Sequence, residues 1–332
     1  MQYEKSTALS LLKLLLFGLP TAALLLAATG CKKKGSKERV DPFAAQDEIV
    51  RIDARRQVEY PSAVKEGDEA FYLVAKQNPM GDPVRGAEWV CIDYTTVSFD
   101  GRFIGSSVAK SAKLYRQWSA GTRYVPSRVK NDAATLGNEL YNVIQKCHAG
   151  DSIVMGMSAK VGNATGMWKS RPNESVISSL VVTQVISDPK AEEEALIKAY
   201  LDEHSGFTPY DSVYKKVNEE GKGKVIPESG RVHLKYGAYF LDGTLLETND
   251  ETIADRYGYT LPNNRKQLLS ISVKDDKTFI SGLSGVCIGE KVGTKLEVIT
   301  PSATAYKDKG RGSVRPYEPL RFELTIINYT ER

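Results

Sequence analysis

The sequence predicts an α+β protein built on antiparallel sheet and arranged as two tandem copies of one unit. Three observations carry that prediction. Strand-like segments dominate and no strand–helix–strand alternation runs along the chain, so a parallel doubly wound architecture is excluded. The 332 residues suffice for two ordinary domains, and 41% of them are hydrophobic. The chain also matches itself at a near-constant offset. At 142 residues Tyr72 meets Tyr214, Gly81 meets Gly223, Val90 meets Val232, Tyr94 meets Tyr236, and Asp100-Gly101 meets Asp242-Gly243. Gly150 meets Gly293 at 143 and Leu180 meets Leu320 at 140.

The N-terminus comes first. Lys5 and Lys13 precede an apolar run from Leu14 to Ala28, about 15 residues, interrupted by Gly18 and Pro20. That is short for a membrane span of ~20 residues but suits the apolar region of a signal peptide. Small residues before Cys31 ("AATGC") resemble a bacterial lipobox, where cleavage precedes a cysteine that then carries diacylglycerol. The alternative is an ordinary secretory signal with an incidental cysteine. The lipobox reading makes 1–30 a signal peptide, Cys31 the lipidation site and 31–44 a flexible tether. Lys32 follows in place of the aspartate linked to inner-membrane retention, so the expected place is the outer membrane, facing the periplasm. The net charge of +4 sits largely in "KKKGSKER" and argues against nucleic acid as a partner.

Each unit then opens on a helical segment. In the first it is "AAQDEIVRIDARRQ"; in the second it is "KAEEEALIKAYLDEHSG", with Leu196, Ile197, Tyr200 and Leu201 on one face. A short strand and a glycine-containing loop follow. Next comes a strand of period two, Val232, Leu234 and Tyr236 alternating with His233 and Lys235, which turns at Asp242-Gly243. A long irregular stretch leads to a short apolar helix ("ELYNVIQKC" and "FISGLSGVCIG"), and two more strands close the unit, such as "TKLEVIT" and "LRFELTIINY". The polar "SDPKAEEE" marks the boundary: first unit 45–187, linker helix 188–207, second unit 208–332.

The second unit resembles the FKBP-type (macrolide-binding immunophilin) peptidyl-prolyl cis-trans isomerases. The residues that carry the likeness are Val232-His-Leu234-Lys-Tyr236, Asp242-Gly243, Phe279-Ile280-Ser-Gly282-Leu283, Gly293 through Ile299-Thr-Pro301, Ala305-Tyr306 and Leu320-Arg-Phe322. Tandem lipoproteins of Bacteroidetes type carry such domains behind a helix like 191–204. The resemblance implies two tandem FKBP-like domains, each an antiparallel sheet wrapped around a short helix with an apolar cleft between them. It implies a catalytic set of Tyr236, Glu247, Ile280, Tyr306 and Phe322, with Leu246, Leu269, Phe279 and Leu283 binding the substrate. Departures exist: Leu246 stands for a phenylalanine, Glu247 for an aspartate, Leu283 for the tryptophan floor, and Lys307 for a glycine after the tyrosine.

The implied activity is rotation about X-Pro bonds in exported polypeptides, by a lipid-anchored isomerase that needs no cofactor. The Tyr306 hydroxyl and the Ile280 N–H would hold the flanking carbonyls while the cleft favours the twisted amide over the planar one. The alternative is a non-catalytic FKBP-like scaffold in the envelope that holds a chain segment without turning it over. The first unit keeps Tyr94, but Ile104 and Gly105 replace the family's Phe-Asp pair, Val161 is expected where the loop tyrosine stands and Val182 where the late phenylalanine stands. It reads as a fold without a competent cleft. His148, His204 and His233 lack ligand spacing, so no metal is expected. Cys287 reads as a buried filler and Cys91 as a residue of the outer strand face; a Cys91–Cys147 disulfide stays open.

Overall fold

In the computed structural model residues 43–274 and 280–331 are described. Cys31, the segment 1–30 expected to be a signal peptide and Phe279 lie outside them.

The first sheet runs through β1 (Val64–Lys65), β2 (Ala70–Lys76), β3 (Trp89–Ser98), β4 (Phe103–Ser106), β5 (Ser127–Lys130), β6 (Ser152–Met157) and β7 (Val176–Ile186). Their spatial order is β1-β2-β6-β7-β3-β4, with β5 also on β3. The second sheet has β8 (Thr208–Tyr210), β9 (Val213–Glu219), β10 (Arg231–Phe240), β11 (Leu245–Thr248), β12 (Leu269–Ser272), β13 (Lys295–Thr300) and β14 (Leu320–Thr330). Its order, β8-β9-β13-β14-β10-β11 with β12 on β10, is the same. Every pairing is antiparallel. Two sheets of one topology make the repeat physical: the chain is a tandem of two α+β domains.

The ladders correct the alignment at the last strand. Tyr94 lies opposite Leu180 and Tyr236 opposite Leu324, so Leu180 corresponds to Leu324 rather than Leu320. Phe322 faces Ala238; the equivalent Thr96 faces Ser178, which therefore occupies the late-phenylalanine place instead of Val182. Insertions in the connections move the offset, while hydrogen bonding holds the register. Both long strands carry a register shift at the same place, Cys91/Ile92 and His233/Leu234.

The leading helices are α1 (Ala44–Glu59) and α6 (Pro189–Glu203). Asp188 caps α6 by accepting from the amides of Lys190 and Ala191, and Pro189 needs no donor there. The buried face of α6 is Pro189, Glu193 and Ile197, spaced by four, while Leu196 is 43% exposed. Each helix sends one buried carboxylate into its own domain. Glu48 accepts from the Ala159 amide at 2.7 Å and the Ser175 hydroxyl at 3.0 Å. Glu193 accepts from the Ser302 amide and, at 2.6 Å, from its hydroxyl. Ala159 opens the helix α5 (Ala159–Ala164), and Ser302 opens the 3-10 turn Ser302–Thr304. The carboxylates thus satisfy amides that a helix start leaves without a partner.

The short apolar helix differs between the copies. In the first it is α4 (Asn138–Ile144), burying Leu140, Val143 and Ile144. In the second, the described part of that stretch, 280–289, makes only a 3-10 turn, Ser281–Leu283, because Gly285 at φ 82° and Gly289 at φ 79° turn the chain out of a helix. The two cores are separate: Ile92, Leu140, Met155 and Leu180 centre one, Leu234, Val286, Leu296 and Phe322 the other. No helix among the described residues is long and apolar enough to cross a membrane.

Candidate active site

The site begins with a gap in a ladder. β11 and β12 both pair with β10 on the edge away from β14, β12 as far as Leu234 and β11 from Gly237 onward, so the ladder on that edge is interrupted at Lys235 and Tyr236. Asn249 fills the gap. Its carboxamide oxygen accepts from the Tyr236 amide at 2.7 Å, and its nitrogen donates to the Leu234 and Gln267 carbonyls, both at 3.0 Å. Ser107 does the same work in the first copy, accepting from the Tyr94 amide at 2.8 Å.

Splitting the edge lets β11 lean over a cleft of about 460 Å³. Leu246 and Glu247 form one side, Ile280 the inner end, and Ala305, Tyr306 and Val314 the other side. The Tyr236 hydroxyl donates to Glu247 at 3.1 Å, and Arg265 reaches the second carboxylate oxygen at 3.4 Å. Burial raises the Tyr236 phenol, and the Glu247 charge raises it further. Tyr306 is raised by the same two causes in the same order. Both hydroxyls therefore stay protonated and can donate. The Tyr306 hydroxyl and the Ile280 amide make no hydrogen bond to any described residue.

The equivalent space in the first copy is filled. Trp168 is 7% exposed and sits against Tyr94, with ring centroids 5.2 Å apart. The Tyr94 hydroxyl donates to the Met167 carbonyl at 2.9 Å, and Gly105 stands where Glu247 would. Val161 and Val182 are core residues there.

Residues 223–327 match the model of the family described as FKBP-type peptidyl-prolyl cis-trans isomerase. The second unit is an FKBP-type domain. Similar solved structures include a peptidyl-prolyl cis-trans isomerase from Pseudomonas syringae pv. tomato, at 20% identity, covering 43% of this chain and 94% of that one (TM-score 0.34). FkpA from Escherichia coli is 21% identical, with 43% of this chain and 61% of that one covered (TM-score 0.34). The three FKBP domains of wheat FKBP73 are 14% identical and cover 81% and 99% (TM-score 0.30). Comparison with curated protein sequences gives no match.

Within the FKBP-type domain the expected residues separate into two groups. Leu246, Glu247, Ile280 and Tyr306 line the cleft. Leu283 and Phe322, each 1% exposed, belong to the core against which Leu246 and Tyr306 pack, and Tyr236 and Leu269 are half-buried at its edge. Sequence reasoning missed Arg265, Arg311 and Val314. Arg311 sits between Gly310 at φ 62° and Gly312 at φ 59°, and it exchanges backbone hydrogen bonds with Val314. The "GRG" triplet was the available signal. No group of His, Cys, Asp or Glu among the described residues could hold a metal ion.

Proposed function

We propose that the chain is a peptidyl-prolyl cis-trans isomerase acting on proline-containing segments of exported proteins, with its activity in the second unit and its lipid on Cys31. The observation that carries this reading is the pairing of two unspent donors, the Tyr306 hydroxyl and the Ile280 amide, in one open cleft that also offers the apolar side chains of Leu246, Ile280 and Val314. Rotation about X-Pro is opposed by amide resonance, a barrier of ~18–20 kcal/mol. A proline ring held against Leu246, Ile280 and Val314 is fixed while the preceding carbonyl turns. Leaving water disfavours the charge-separated planar amide, and a donor on each flanking carbonyl favours the twisted one. The domain needs no nucleophile, because this is differential binding of a conformation.

A second reading, a scaffold that holds proline segments without turning them over, draws on the ion pair of Arg265 with Glu247, which keeps polar groups at the cleft. Proline isomerisation by the chain from Cys31 onward, beside its Tyr306→Phe variant, separates the two. One hydrogen bond is worth ~0.5–1.5 kcal/mol, so the variant should lose roughly threefold to tenfold in turnover and keep most of its peptide affinity. Binding of proline peptides without turnover in the wild type would establish the scaffold instead.

A further inference from the structure

The first unit has a filled cleft, yet one of its side chains holds both walls of the second unit's cleft. Arg123 lies in the connection before β5 and its side chain is 8% exposed. It donates to Asp242 through Nη2 at 2.7 Å and Nε at 3.1 Å, and through Nη2 to Glu318 at 3.1 Å. Its guanidinium lies 3.6 Å from the centre of the Phe240 ring. Asp242 turns the hairpin that ends in Leu246 and Glu247, and it also accepts from the Thr244 amide at 2.8 Å. Glu318 closes the loop that begins at Tyr306.

Other first-unit contacts fall on the same two segments. Arg128 donates to the carbonyls of Pro316 and Tyr317, both at 3.2 Å, and the Pro126 carbonyl accepts from Arg315 at 3.3 Å. Gly121 borders a second hollow of about 310 Å³ beside β11, lined also by Leu246, Glu247 and Arg265. The first unit therefore touches the cleft-forming segments from outside the cleft.

We propose that Arg123 is a positioning residue: its planar fork fixes the distance between the β11 wall and the Tyr306 wall, so that the first unit sets the width of the second unit's cleft. This rests on the isomerase reading for its consequence but not for its structural part. The guanidinium suits the task, because a fork can serve two carboxylates and stack on a ring at once, which an ammonium cannot.

The test uses the full chain carrying Arg123→Ala, Arg123→Lys or Asp242→Asn, with Arg102→Ala as a control. Arg102 pairs with Glu174 inside the first unit and touches neither wall. Amide hydrogen exchange should quicken in both 244–248 and 306–314 on Arg123→Ala, by roughly tenfold or more. KM for a proline tetrapeptide should rise more than kcat falls, Arg123→Lys should give intermediate protection, and Arg102→Ala should leave both segments as they were. Unchanged protection in either wall, with thermal unfolding showing the chain still folded, overturns the proposal. Should Arg123→Ala fail to fold, Asp242→Asn and Arg123→Lys carry the same comparison. If the wild type turns over no peptide, exchange alone decides, so loss of the isomerase reading and loss of this one are seen separately.

Discussion

At Lys307 the backbone takes φ 56°, the left-handed region that side chains with a Cβ enter at a cost. Its amide donates to the Ser302 carbonyl at 2.8 Å, and its carbonyl accepts from the Tyr317 amide at 3.0 Å, so the conformation is held from both sides. The sequence showed a lysine where the family has glycine. It could not show that the glycine-like conformation persists. Lys307→Gly should therefore raise stability by about 1 kcal/mol, read as a shift in urea midpoint with unchanged slope. Cysteine chemistry belongs to the same scale. Cys91, Cys147 and Cys287 are free and buried, and burial pushes the Cys147 thiol up to about 11 and Cys287 up to about 12. Alkylation of these three by iodoacetamide at pH 8 should be slow in the native chain and complete within minutes in denaturant; rapid native labelling of any of them, located by peptide mass, would mean the cores open readily.

Among the elements, the strand pattern around Tyr236 was legible because period-two alternation reports a half-buried strand directly. The split edge beside it was not, since Asn249 lies in a segment with no periodicity and reaches the ladder through its side chain. Three of its hydrogen bonds are to strand and loop backbone, and it is 5% exposed. Asn249→Ala leaves those groups without partners, so a loss of roughly 2–4 kcal/mol is expected, measured by chemical unfolding. The second apolar helix was misread for the opposite reason: Phe279 to Cys287 has helical spacing, but the glycines at 282, 285 and 289 outweigh it. Helix α6 carries a pH dependence of its own. Burial raises the Glu193 carboxyl above its unfolded value near 4.3, against the hydrogen bonds from Ser302, which lower it. The folded state then holds that proton more tightly than the unfolded state. Its contribution is largest below the unfolded pKa and declines as pH rises through the folded one. Glu193→Gln keeps an acceptor for Ser302 and removes the decline. Relative to wild type its stability should therefore improve between pH 4 and pH 7; a constant gap would show that Glu193 does not titrate there.

For the whole molecule, the repeat made two domains legible, and comparing the copies would also have disclosed how they meet. On the outer face of β3 stand Trp89 and Cys91, with Ile186 opposite Trp89; the second copy has Arg231, His233 and Thr330 in those places. An outer strand face that is apolar in one copy and polar in the other marks a covered surface. Tyr317 covers it, edge-on to Trp89 at 5.5 Å, so Cys91 is not on an open face. Around that contact the charges are buried. Glu318 is 5% exposed and receives Arg123 at 3.1 Å and Arg315 at 2.5 Å, while Arg123 already has one nitrogen without a partner. Removing one partner of a buried pair typically costs ~3–5 kcal/mol, because the other charge stays desolvated. In the full chain Glu318→Gln should approach that figure. A fragment beginning at Ser187 retains α6 and the entire second core, so it should fold, and Glu318 then meets solvent with only Arg315 beside it. There the same substitution breaks a surface pair worth ~0–1 kcal/mol. Undocking sets the limit in the full chain, since no change at the interface can leave the second unit less stable than it is when free of the first. Urea unfolding of four proteins, the full chain and the fragment each with and without Glu318→Gln, measures the difference of differences. Equal costs in both settings would mean that the charge network does not couple the domains. A cost of several kcal/mol confined to the full chain would show that the filled, cleft-less copy is held against its neighbour by buried charge, the arrangement a cleft positioned from outside requires.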